Sequence, residues 1–317
     1  MWSRRELLGA AAGAPLFAAS KMKPRERVDR TLRGEDVDRS PFTYWYHFCL
    51  EKEPPLKHAQ ATLDFRRKFH TDIVKVMSDF PYPKPAGTWY QLKEEQNPFP
   101  AQIKALEMIR DGLAGEVHFI ETIFNPWNIA TKLSSKNEVL KMKAEKPQAL
   151  LDALQVIAKS EANHARRAVA AGASGIFLAI DNAQDGYLTR DEYSKFSEPF
   201  DRMVLEAVRA APLNTLHLHG DKVRLDQFFQ GWPAVVVNYS AHGTGVTLGD
   251  ARNKYSGVLM GGLDERNFRT LQTFDIKRQW IAAGREARRK FILAPGCSVP
   301  NETADAELLR VTRLFGA

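Results

Sequence analysis

Cysteine is nearly missing from this chain: among 317 residues only Cys49 and Cys297 carry a thiol. Two thiols so far apart make no disulfide framework, which excludes the small stapled scaffolds. No apolar run approaches the length of about 18 residues that a membrane-spanning helix requires, so stable membrane insertion is not expected. There is no basic stretch interleaved with aromatics, no paired-cysteine finger spacing and no RNA-binding signature, and nucleic acid is therefore not an expected partner. Linkers, low-complexity segments and composition shifts are missing too, which argues for one domain.

What is present fits a soluble globular protein, with 44% hydrophobic and 26% charged residues. The formal net charge of +7 reads as a solvated basic surface and also suits an anionic small-molecule substrate. The first 20 residues, MWSRRELLGAAAGAPLFAAS, place Arg4 and Arg5 before an apolar, alanine-rich run. That order resembles a twin-arginine export signal, with Ala18, Ala19 and Ser20 suited to a signal peptidase. It implies a periplasmic protein; an amphipathic N-terminal helix on a cytoplasmic protein is the alternative. The fold is therefore read from residues 21–317.

Short apolar runs alternate with amphipathic helical stretches from Lys21 onward. The strand-like runs cover 42–48, 73–78, 117–124, 175–181, 214–220, 235–240, 257–264 and 291–300, and most end in Gly, Pro, Asn, Asp or Ser. Helical spacing is clear at 23–34, 56–70, 102–113, 146–173, 190–211, 222–231 and 303–316. Eight strands, each followed by a helix, is the pattern of a single (β/α)8 TIM barrel; a doubly wound open sheet is the other α/β arrangement with this alternation. Residues 81–100 are proline-studded and read as a long loop that lines or caps a site.

Side chains alternate across a strand, so each run can be sorted into two faces. One face is apolar and suited to packing on helices. The other turns polar toward the C-terminal end of the strand. Lys75, Glu121, Asp181, His217 and His219 gathered there would each be costly to bury without partners. They are expected to meet one another, a metal or a ligand at the mouth of the barrel, although an internal Lys75–Glu121 ion pair with hydrogen-bonded histidines is the structural alternative. His217 and His219 lie two apart on one strand, so both imidazoles point the same way. Cys297 ends the last strand in the turn PGCSVP. Two imidazoles and a thiolate suit Zn²⁺ with a fourth position open to water or substrate; core histidines and an inert buried thiol are the alternative.

Several segments in order resemble the uroporphyrinogen decarboxylase superfamily. They are KPRERVDRTLRGEDVDRSPF, FHTDIVKVMSD, AIDNAQDGYLTRDEYSKFSEPF, LHLHGD and LAPGCSVPNETADAELL. The resemblance implies a TIM barrel and one of two chemistries. One branch decarboxylates a tetrapyrrole without a cofactor. The other uses zinc to activate a thiol that takes a methyl group from a corrinoid, with ligands from a His-x-Cys on the fifth strand and a C-terminal cysteine. His217 matches the first ligand and Cys297 the last, while His219 stands where the middle cysteine would be. An arginine-rich RQAGRY-like segment, which holds substrate carboxylates in the decarboxylase branch, is replaced by TYWYHFCLEKEPP.

The chain is thus expected to carry out zinc-dependent methyl transfer on a small molecule, with a corrinoid donor and a corrinoid protein as partner. His217, His219 and Cys297 would hold the metal. Asp181, Glu121 and Lys75 are the candidate catalytic groups, and His47, Asn125, Asn238 and Asp264 the candidate substrate contacts. Cofactor-free decarboxylation with Asp181 stabilising charge, and an exported binding protein without turnover, are the competing readings.

Overall fold

The computed structural model of the chain describes residues 21–315. The segment read as an export signal, residues 1–20, lies outside the described residues. Seven parallel strands form one sheet in sequence order: β1 (Ile73–Val76), β2 (His118–Phe124), β3 (Ile176–Ile180), β4 (Thr215–Leu218), β5 (Val236–Tyr239), β6 (Val258–Leu263) and β7 (Phe291–Pro295). Each pair is joined by a crossover, as parallel neighbours require.

The expected first strand, 42–48, is the one that differs. It forms a single parallel bridge between Phe42 and Leu293 rather than a ladder. Yet it closes the ring. On one side Leu293 N–H donates to the Pro41 carbonyl at 2.8 Å and Thr43 N–H to the Leu293 carbonyl at 3.0 Å. On the other, Asp72 N–H donates to the Phe42 carbonyl at 2.9 Å, and Thr43 Oγ1 to the Ile73 carbonyl at 2.9 Å. Strand-like alternation also survives. Phe42 and Tyr44 pack into the core between sheet and helices, while Trp45 turns into the barrel with Ile73, Ile120, Phe177 and Val258.

Helices cover the sheet, and proline sets where many begin. Pro24–Arg33, Pro55–Phe69, Pro100–Leu113, Pro126–Leu133 and Pro147–Ala170 all start on proline, whose missing N–H costs nothing in a first helical turn. The continuous helix expected over 190–211 breaks into Arg190–Phe196 and Glu198–Glu206. Pro199 cannot donate to the carbonyl a turn earlier, so the first helix ends there. The stretch 222–231 forms only a short 3-10 turn, Leu225–Phe228. A helix not singled out from the sequence, Thr273–Ala287, covers β6 and β7. Residues 77–99 hold neither helix nor strand, and Tyr82 and Phe99 from this loop are buried. Among the described residues no helix is long and apolar enough to cross a membrane.

The closing segment is fastened by Asp72, which is fully buried. Its carboxylate accepts from Arg27 Nη1 at 2.5 Å, Arg39 Nη1 at 2.5 Å and the Phe42 N–H at 2.9 Å. Arg27 is itself 1% exposed and also holds Asp38. Removing one partner from such a pair strands the other charge. Asp72→Ala should therefore lower stability by about 3–5 kcal/mol, read as a shift in the urea midpoint. An unchanged midpoint would show that closure does not depend on this carboxylate.

Candidate metal centre

His217 lies inside the barrel on β4. One residue past the strand, His219 N–H still donates to the Ile180 carbonyl at 2.9 Å, so the pleat continues and its ring faces the same mouth. His217 is 4% exposed and its ring stacks on Phe177, with centroids 4.9 Å apart. Its Nδ1 lies 2.6 Å from Oδ1 of Asn238, the residue paired with it on β5. Asn238 donates both of its side-chain N–H bonds, to the Met260 carbonyl at 3.0 Å and the Pro295 carbonyl at 3.1 Å. That assigns Oδ1 as acceptor and places the His217 proton on Nδ1. The lone pair of Nε2 is then left for the mouth.

Cys297 follows β7 by two residues. Gly296 permits this approach, because a Cβ there would lie 2.2 Å from Cα of Ser240. Its N–H is held by Glu265 Oε2 at 3.1 Å. Sγ of Cys297 lies 3.3 Å from Nδ1 of His219. One ligand atom from each of His217, His219 and Cys297 falls within 4.8 Å of the others. Tetrahedral zinc, with bonds near 2.0 Å to nitrogen and 2.3 Å to sulfur, spaces its ligand atoms roughly 3.3–3.6 Å apart. The donor set suits that ion, and the 3.3 Å between His219 and Cys297 matches its spacing.

Electrostatics reinforce the fit. Burial alone would push the Cys297 thiol up, but hydrogen bonds and charge from His217 and His219 pull it down to about 4. The His219 imidazole is raised, first by its bond to Cys297, against the effect of burial. The sulfur is therefore held as thiolate, the form that binds metal.

The three ligands open into a cavity of about 210 Å³, walled by Trp45, Phe177 and Met77 and reached by Lys75, Asp181 and His47. Lys75 projects from β1 with its amino group 2.9 Å from Met77 Sδ and 4.9 Å from the centroid of the Phe177 ring. Burial lowers it to about 7, partly offset by the charges of Cys297, Glu121 and Asp79. Asp181 takes a hydrogen bond from Asn128 on Oδ2 at 2.6 Å, while its Oδ1 is buried with no partner among the described residues. His47 sits at the rim, 3.9 Å from Asp79.

Four expected site residues do not line this cavity. Glu121 is on the face of β2 that packs on helices, where it accepts from Gln102 Nε2 at 2.8 Å and lies 3.0 Å from His164 Nε2. The inward residues of β2 are Ile120 and Thr122, so the Lys75–Glu121 pairing is corrected: they lie on opposite faces of the sheet. Asn125 caps the helix Pro126–Leu133 and donates to Asn182, Ser197 and Asp201 behind the sheet. Asp264 accepts from the N–H groups of Arg266 and Asn267 and so fixes the turn after β6. Asn238 is inside the barrel but fully buried, and it contacts His217 rather than open space.

Sequence reasoning missed Asn128, Trp45 and Asp79. Asn128 sits on a helix too short to show a clear period, and Trp45 lies where the strand pattern holds without a ladder.

The model for the family described as uroporphyrinogen decarboxylase matches residues 88–314. Among solved structures the chain is similar to a methyltransferase from Methanosarcina mazei, at 16% identity and TM-score 0.72, covering 93% of this chain and 100% of that one. It is also similar to a B12-independent methionine synthase from Shewanella sp. W3-18-1, at 10% identity and TM-score 0.55, covering 87% and 96%. At these identities the likeness is one of fold. No curated protein matches the sequence.

The low-lying thiol gives a direct prediction. In metal-free protein Cys297 should be alkylated by iodoacetamide at pH 5 nearly as fast as at pH 8, because it is already thiolate at both. Peptide mapping would read this out. A rate that climbs about tenfold per pH unit across that range would contradict the imidazole–thiolate arrangement.

Proposed function

The chain belongs to the uroporphyrinogen decarboxylase family, which makes it an enzyme of methyltransferase or decarboxylase type, and on that premise we propose zinc-dependent methyl transfer at the His217–His219–Cys297 mouth. The observation that carries the reading is the donor set itself. Two imidazoles and a thiolate converge from β4 and the end of β7, with His217 locked in the tautomer that offers Nε2. Bound there, zinc would acidify an incoming thiol or similar acceptor and leave one position open to it. Two neutral ligands and one thiolate leave a dipositive ion with net charge of about +1. That favours an anionic acceptor more than a His-Cys-Cys set would.

The chain's own residues supply the rest. Oδ1 of Asp181, without a partner among the described residues and lining the cavity, would take the acceptor's proton, with Asn128 fixing the carboxylate. Lys75, near neutrality in its protonation, would face the charge of the bound molecule. Trp45 and Phe177 keep the cavity wall apolar and limit water. The methyl donor would be a corrinoid carried by a partner protein. The twin-arginine-like residues 1–20 fit a barrel loaded with metal before export, since that route moves folded proteins.

Polycarboxylate decarboxylation is less well supported. Among the described residues no arginine lines the cavity, so several carboxylates would lack counter-charge.

Elemental analysis of purified protein should find about one zinc per chain, with Cys297→Ser losing at least tenfold in affinity while staying folded. The wild type should move a methyl group from methylcobalamin to a thiol, and chelation should abolish it. Negligible zinc in both proteins, or turnover untouched by strong chelators, would end this reading.

A further inference from the structure

A second cavity, of about 200 Å³, adjoins the first and shares Thr122 and Phe124 with it. None of the three metal ligands lines it. Its floor is acidic. Glu161, from the helix Pro147–Ala170, is 1% exposed, and the Asp79 side chain, from the loop after β1, is 3% exposed. Among the described residues neither carboxyl oxygen of Glu161 has a hydrogen-bond partner, nor has Oδ2 of Asp79. Buried polar groups left this way are costly, and a set of them facing one cavity points to a ligand. The exposed side of the same cavity is basic, with Lys84 and Lys132. Lys132 acts on Glu161 through charge without bonding to it, and Glu121, tied to His164, faces it from behind.

We propose that this cavity binds a small zwitterion, its ammonium end against Glu161 and Asp79 and its carboxylate end at Lys84 and Lys132. A simple cation would have to pass two lysines to reach these acids. A simple carboxylate would come to rest on two buried acids. A molecule with both charges meets each end with its complement, and Phe80, Tyr82 and Phe124 supply apolar wall for the carbons between. Burial, with the charge of Glu121 behind it, holds Glu161 well above the usual carboxylate range. An arriving ammonium would ionise it and release a proton. Binding needs no metal; only the further step, that the zwitterion is a reactant of the neighbouring centre, rests on the proposed function.

Titration calorimetry on the full chain after exhaustive chelation tests this. The probes are the unbranched ω-amino acids from glycine to 6-aminohexanoate, with the n-alkylamines and alkanoates that lack one charge. At least one amino acid should bind, with its amine and alkanoate counterparts each about tenfold or more weaker. Buffers of different ionisation enthalpy should reveal proton release. The isosteric Glu161→Gln should lose about tenfold in affinity together with the proton release, and Lys132→Met should lose affinity but keep the release. An alkanoate that binds as tightly as the amino acid, an unaffected Glu161→Gln, or no binding by any probe (a cavity that holds water only) would overturn the proposal. Because the protein is metal-free throughout, failure here and failure of the zinc reading are separate results.

Discussion

Asp72 receives two arginines and the Phe42 amide in the space where 41–45 must be held between β7 and β1. That fastening matters because the closing segment makes so few ladder bonds of its own. An open sheet would leave Leu293 at one edge and Ile73 at the other. Closed, the same sheet brings the turn after β7 round toward β4 and lets Trp45 and His47 finish the wall of the cavity. The candidate metal centre is thus a consequence of ring closure before it is a matter of ligand chemistry.

Within the ring, the two faces of each strand do different work. Inward residues on β4 and β5 supply His217 and Asn238 side by side, and the amide sets which imidazole nitrogen is free. Outward polar residues such as Glu121 and Asn125 stitch helices to the sheet. Both sets are buried and both are polar. What separates them is only which side of the pleat they fall on. A fixed tautomer, a thiolate already formed and a wall of aromatic rings together describe a site organised before any ligand arrives.

Much of this was legible in the chain. All seven strands fall within expected runs, because buried parallel strands are short, apolar and punctuated by turn residues. The His217–His219–Cys297 grouping was readable because two-residue spacing on a strand fixes direction, and a strand-end cysteine must lie at the same mouth once the barrel closes. Glu121 was misplaced even though its own strand pattern put it opposite Ile120 and Thr122; the inward face could not be chosen from alternation alone. Asn125 and Asp264 look like site residues by position, but local backbone groups claim them as a cap and a turn. Glu161 is marked in the sequence by its position: it lies seven residues after Leu154, on the buried stripe with Ile157, Ala158 and Ala165. An acid in such a stripe needs a reason.

One coordination sphere, drawn from β4 and the end of β7, would hold the ion. X-ray absorption at the zinc edge would read it directly in the metal-loaded protein. One sulfur near 2.3 Å and two imidazole nitrogens near 2.0 Å, completed by a light atom that an added thiol replaces, is the expected spectrum. A shell of nitrogen and oxygen alone, with no sulfur, would contradict it.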